Sequence, residues 1–187
     1  MSAAVQDAMT NRRASHEQAQ QAAAQLWGQS PPAGAHPWLA ATCVAAHGLR
    51  QRSGRLLVPM CDSGGTLWNL QFIGAGGATR ILHGGRVFGL HHRIGWPVRG
   101  VQHVAEDYVT AARVHAATGQ PCAVAFMLWN LRPVALALRA LDPSARFTIW
   151  LPTPPPGRIG NYRGALSAAE AAAGAVSGAV AMLRGAQ

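Results

Sequence analysis

From Val98 to Leu151 the chain alternates short apolar runs with stretches of helix length, and this alternation restricts the fold more than any other feature. "VQHVAE" reads as a strand, "DYVTAARVHAAT" as a helix closed by Gly119, and "PCAVAF" as a second strand. "NLRPVALALRALD" reads as an amphipathic helix with Pro133 close to its start, and "RFTIWL" as a third strand. Strands separated by helices of this length predict a parallel sheet with right-handed crossovers. Sites in such sheets form beyond the carboxyl ends of the strands. Glu106 stands at that end of the first strand, with Asp107 directly after it. The pair is conspicuous, because the whole chain carries only 7 acidic residues.

Upstream the period is different. Residues Asn11 to Trp27 carry Ala, Gln and Glu without a breaker and predict a helix, which "GQSPPAGAHP" must end. "WLAATCVAAHGLR" predicts a short helical or irregular piece. Beyond it, "RLLVPMC" and "TLWNLQFIG" flank Asp62-Ser63-Gly64-Gly65, the pattern of an antiparallel hairpin. Gly74 to Gly77 makes a second turn into "TRILH", and Gly84-Gly85 a third. The expected fold class is therefore α/β, with a parallel sheet and flanking helices preceded by a small antiparallel β lobe and an N-terminal helix. The expected divisions are 1–37 (helix and Pro/Gly linker), 38–97 (β-rich lobe) and 98–187 (α/β domain). A chain of 187 residues can build a core for such a domain plus a small lobe. No internal repeat is visible.

The tail "GALSAAEAAAGAVSGAVAML" approaches membrane-spanning length, but Glu170 and its Ala, Gly and Ser content weaken it for insertion. It predicts a soluble helix followed by a short terminal strand. The first residues show no apolar secretory segment, so a cytoplasmic location without membrane association is expected. The formal charge is +9, and all 16 basic residues are Arg, the signature of a GC-rich coding sequence. The excess of positive charge points to an anionic partner, with nucleic acid foremost. Cys43, Cys61 and Cys122 form no CxxC pair, which excludes a four-ligand zinc site; reduced, packed thiols are expected.

The run "AHGLRQRSGRLLVPMCDSGGTLWNLQFIGAGGATRILHGGRVFGLHHRIG", followed by "VAEDYVTAARVHAATGQPCAVAF" and "NLRPVALALRALDPSARFTI", resembles the Toprim-containing DNA primases of plasmids and satellite phages. A weaker echo continues in "GNYRGALSAAEAAAGAVSGAVA". The resemblance implies a fold shared with topoisomerases and some nucleases. It implies a Glu at the end of the first strand, acting as general acid/base or metal ligand, and an Asp-x-Asp after the third strand that binds Mg²⁺. Glu106 matches the first of these. The glycine that usually follows is replaced by Asp107, and Leu151 to Pro156 contain no carboxylate. Mg²⁺ wants octahedral oxygen ligands, usually with one or two carboxylates, and nucleotidyl transfer over two metals needs more. Glu106 and Asp107 are thus left to hold Mg²⁺ weakly. The zinc ribbon of complete primases is excluded by the cysteine count, so no zinc is expected.

What the resemblance implies is a DNA primase-like protein replicating a plasmid, phage or integrated element. Its partners would be single-stranded or primer–template DNA and a helicase or other replication protein. Its nucleotidyl transfer would be weakened or lost; if active, Glu106 is the catalytic residue and Mg²⁺ the cofactor. The alternative is a non-catalytic interaction module docked on a replication partner. Individual residues divide similarly. Arg80, Arg86 and Arg93, near the Gly turns of the β lobe, read either as phosphate contacts or as a solvated face. Asp107 reads as the cap of the helix that follows, and Asn130 as a helix start. His91 and His92 diverge if they lie on a strand and predict a surface or turn position rather than a metal pair. Trp68, Trp96, Trp129 and Trp150 could stack bases, with packing preferred for Trp68 and Trp150.

Overall fold

The structure, a computed structural model, describes residues 3–96, 99–154 and 159–183. It divides into two compact units, Met1–Leu90 and His91–Gln187.

The first unit begins with α1 (Ala3–Gly28), longer at its start than the sequence predicts, and the short α2 (Pro37–Thr42). Four strands follow: β1 (Arg50–Arg52), β2 (Arg55–Cys61), β3 (Leu67–Ile73) and β4 (Thr79–Ile81). They form an antiparallel meander in chain order, and the expected hairpin is the β2–β3 pair. Pro59 can sit in β2 because β1 pairs only with Arg55 to Leu57, so no ladder bond on that side needs its missing N–H. α1 lies against β3, where Ala23, Leu57 and Leu70 are buried together with Leu26 and Trp27 packed around them.

The Gly84-Gly85 turn is clamped to this unit from two sides. Ser15 Oγ on α1 donates to Gly84 O at 3.0 Å, and the fully buried Asn69 on β3 donates its amide to Arg86 O at 2.9 Å. Gly84 has φ +75°, and a Cβ on Gly85 would stand 2.3 Å from the Asn69 amide nitrogen. The paired glycines are thus required by a left-handed angle and by contact, and they fix where Arg86 emerges.

The second unit opens with β5 (His92–Ile94), then β6 (Val101–Ala105), α3 (Tyr108–Thr118), β7 (Cys122–Val124), α4 (Leu131–Leu141), β8 (Arg146–Pro152), α5 (Ile159–Ala175) and β9 (Ala179–Leu183). The sheet order is β5-β7-β6-β8-β9, all parallel except β5, which pairs antiparallel with β7 at one edge. α4 and α5 cover one face, where Val104, Leu131, Leu138, Ile149 and Leu151 are buried together. α3 packs on β6 and β7 through residues outside that cluster, including Tyr108 and Val114. Gly119 closes α3 at φ 67°, donating its N–H to His115 O. The predicted terminal helix and strand are α5 and β9; no helix among the described residues is long and apolar enough to cross a membrane.

Three expectations are corrected. The segment holding His91, His92 and Arg93 joins the second unit's sheet, because Arg93 and its neighbours pair with Cys122 to Val124. His91 and His92 are buried rather than at the surface, and the His92 ring stacks on Tyr108 at 5.9 Å, which lets an imidazole sit inside as a flat apolar body. Of the three thiols, Cys122 is buried and Cys61 half-buried, but Cys43 is exposed where α2 ends in a left-handed residue.

Gly85→Ala should lower stability by about 1–3 kcal/mol through overpacking against Asn69. Gly76→Ala, where a Cβ meets nothing within 4 Å, should stay within about 0.5 kcal/mol. Urea unfolding midpoints of the two variants measure the contrast.

Candidate functional site

The carboxyl ends of β6, β7 and β8 form one edge of the second sheet. Past the end of β7 two further backbone bonds tie the chain to the end of β6: Ala125 N donates to Ala105 O at 2.8 Å and Phe126 N to Glu106 O at 2.7 Å. Phe126 sits at φ 70°, a left-handed angle that a bulky residue resists, with its ring buried. Immediately after it, a 3-10 turn over Leu128–Asn130 brings the chain back to start α4. Asn130 occupies the position before α4, but its side chain does not cap the helix. It is fully buried and donates Nδ2 to Ala125 O at 2.8 Å, tying the turn to the strand it left. This corrects the expectation of an ordinary capping asparagine.

Glu106 is half-buried in the corner so formed. Desolvation holds its carboxyl above the ordinary glutamate value, the neighbouring Asp107 charge adds to that, and a backbone hydrogen bond from Leu128 opposes both. Asp107 caps α3 as expected. One of its oxygens accepts from Thr110 N at 2.9 Å and the other from the Thr110 hydroxyl at 2.6 Å. At the end of β8, the Thr153 hydroxyl donates to Leu183 O at 2.7 Å, in a bond to the β9 backbone. Asp142 lies at the opposite end of β6, accepting from Gly100 N at 2.8 Å.

These residues do not fit a magnesium centre. The corner offers one carboxylate that resists ionisation and one whose two oxygens already serve a helix. Among the described residues, no three His, Cys, Asp or Glu side chains gather to hold a metal ion. Pro155 to Arg158 lie outside the described residues and carry no carboxylate in sequence.

Two further features lie at this sheet: the sequence offers Trp129 and Trp150 as residues that could stack bases, but not the contacts or the turn that place them. On β6, His103 Nδ1 accepts from the indole N–H of Trp150 on β8 at 3.0 Å, with the rings edge to face. An indole is a donor only, so Nδ1 carries no proton, and burial holds the imidazole below its ordinary pKa. The second is Trp129, on the turn that donates to Glu106, with 56% of its surface exposed. The signal for the first was the matched period of two aromatic rings on neighbouring strands; the turn behind the second has no sequence signature.

The three arginines divide between the two units. Arg80 is exposed on β4; Arg86 follows the glycine turn and lies over the Trp68 ring at 5.2 Å. Arg93 is in β5, in the other unit, half-buried, and its guanidinium pKa is lowered by burial. Trp68 and Trp150 are both half-buried and hydrogen-bonded, Trp68 Nε1 donating to Asp62 Oδ2 at 2.8 Å.

No protein-family model matches the chain. The chain is 30% identical to DNA primase TraC of Escherichia coli in an alignment 151 positions long, which covers 72% of this chain. It spans only 10% of that relative. Among solved structures, the fold resembles the primase fragment of the bacteriophage T7 primase-helicase protein, with a TM-score of 0.60 over 83% of this chain and 67% of that one, at 13% identity.

The chain resembles a DNA primase in sequence and a primase fragment in fold.

A second structural match is to a structure of the bacteriophage T7 lagging-strand DNA polymerase interacting with primase domains bound to an RNA/DNA hybrid and dTTP. Its TM-score is 0.56 at 12% identity, covering 84% of this chain and 83% of that one. The Toprim order of strand, Glu, helix, strand is present from Val101 to Val124, with Glu106 at the first strand's end. The place of the acidic second motif, after β8, begins with Thr153 and Pro154.

The raised Glu106 carboxyl has a consequence for stability. The native state keeps that proton to higher pH than the unfolded chain, where a glutamate titrates at about 4.3. Stability therefore falls as pH rises from the unfolded value through the folded one. Glu106→Gln should remove that fall and leave the variant relatively more stable at neutral pH. Urea midpoints measured across the acid range check this; parallel profiles for the two proteins would refute it.

Proposed function

We propose that the chain is a cytoplasmic, primase-like replication protein of a plasmid, phage or integrated element, which binds single-stranded or primer–template DNA while its metal-dependent nucleotidyl transfer is weakened or lost. The observation that carries this reading is the acidic corner: Glu106 is half-buried with its carboxyl held above the ordinary value, and Asp107 is engaged by Thr110 through both oxygens. Mg²⁺ would find there one reluctant ligand rather than a set, and the two-metal clamp of nucleotidyl transfer needs several.

DNA binding is supported by the net charge of +9 and by the relatives. The similar curated protein is named a DNA primase, and one structural neighbour has primase domains bound to an RNA/DNA hybrid. In this reading Arg80, Arg86 and Arg93 contact phosphates, and Glu106 remains as the acid/base group of any residual reaction. A helicase, polymerase or other replication protein would complete the assembly.

A second reading, the non-catalytic interaction module, draws on a different observation. Leu136 and Leu141 on α4 are 43% and 55% exposed, and Trp129 stands exposed just before that helix. Such residues suit contact with another protein.

Two measurements separate these readings. Calorimetric titration of Mg²⁺ should give no saturable heat for the native chain and the same trace for Glu106→Gln; a saturable site lost in the variant would overturn the weakened-chemistry reading. Affinity for a single-stranded oligonucleotide should fall steeply with salt, and Arg80→Ala should reduce the log–log slope by about 0.7, one phosphate contact. An affinity indifferent to salt would favour the interaction module.

A further inference from the structure

A cleft of about 330 Å³ opens in the first unit between α1 and β3, with Arg86 at its edge. Its wall on the helix side is Met9, Arg12 and His16, one turn apart on a single face of α1. Its other wall is Trp68, held by the bond from its indole N–H to Asp62, with the Arg86 guanidinium over the ring. Arg86 is placed rather than free. The turn before it is fastened by Ser15 and Asn69, and its own Nε donates to Phe88 O at 3.2 Å. The acid lining the cleft, Glu17, is bonded to Arg13 at 3.1 Å, so its charge is offset within the helix. Arg12 supplies positive charge on the helix side and Arg86 on the other, the latter partly offset by Asp62 behind the Trp68 ring; His16 adds ring nitrogens, and Trp68 with Met9 supplies an apolar wall.

A larger hollow of about 650 Å³ runs along residues 34–46, but no charged group lines it to select a ligand.

We propose that the cleft between α1 and Trp68 seats one nucleotide of a single-stranded DNA, its phosphodiester on Arg12 and Arg86 and its sugar or base against Trp68 and Met9. The inference rests on the DNA-binding reading above and adds α1 to it. The volume is at the lower end for a small-ligand pocket, about 300–1,000 Å³, and suits a single unit of a strand rather than a duplex. Guanidinium pairs with phosphate and an aromatic or thioether wall with a base face, the combination used where strands are held without sequence preference.

The test is anisotropy of a labelled single-stranded oligonucleotide at several salt concentrations, with the native chain, Arg80→Ala and the double variant Arg12→Gln, His16→Gln. Both substituted positions lie on the helix surface and glutamine keeps the helix, as circular dichroism would verify. The double variant should bind roughly tenfold more weakly, with a slope reduced by about 0.7. If the native chain and the double variant bind with equal affinity and slope, the cleft is refuted while DNA binding stands. A native chain that binds no strand refutes the DNA reading and the cleft with it. Displacement of the strand by inorganic phosphate, or by an acidic peptide of equal charge, marks a general anion site and overturns the nucleotide assignment.

Discussion

Both oxygens of Asp107 are engaged with Thr110, one by the backbone N–H and the other by the hydroxyl. That pair of bonds orders the first turn of α3 at the point where the chain leaves β6. It also settles how the corner's negative charge is distributed. A carboxylate committed to a helix start stabilises the start but presents little to an incoming cation. Its charge is still felt by Glu106, which is pushed further toward its protonated form. One residue thereby builds the local structure and weakens its neighbour as an anionic ligand.

In the first unit, a comparable dependence runs from small residues to a charged one. Gly84 and Gly85 allow a turn to approach Ser15 and Asn69 too closely for any Cβ. The result is a backbone with one permitted path, and Arg86 leaves it over Trp68. Placement of a long cation normally carries a large entropy cost. Here it is reduced by the fixed backbone, the ring beneath and the carbonyl of Phe88.

Much of the architecture was legible because the apolar period of the sequence changes where the structure does. β6, α3, β7, α4 and β8 follow from runs such as "CAVAF" and "VALALRAL", and Asp107 and Gly119 mark the two ends of α3 by residue type alone. Glu106 at the end of β6 followed from the same pattern. β1 and β5 did not: "RQR" and "HRI" are too short and polar to carry a period, and each is a strand only because a neighbour accepts it. Arg93 was grouped with Arg80 and Arg86 for that reason, since only the antiparallel pairing with β7 assigns it to the second sheet. The hydrogen bond from Leu128 to Glu106 and the inward amide of Asn130 were illegible for another reason. They arise from a turn shape set by tertiary contact, which no local propensity encodes.

The corner around Phe126 has an implication for how this fold comes to be assembled. Its shape is held by backbone bonds to Ala105 and Glu106, a buried ring and the Asn130 amide, all supplied by the polypeptide. A loop built in this way is complete before any divalent ion arrives, and a chelator would leave its contour untouched. The backbone that displays Glu106 is thus held without a metal, while Asp107 stays committed to the start of α3.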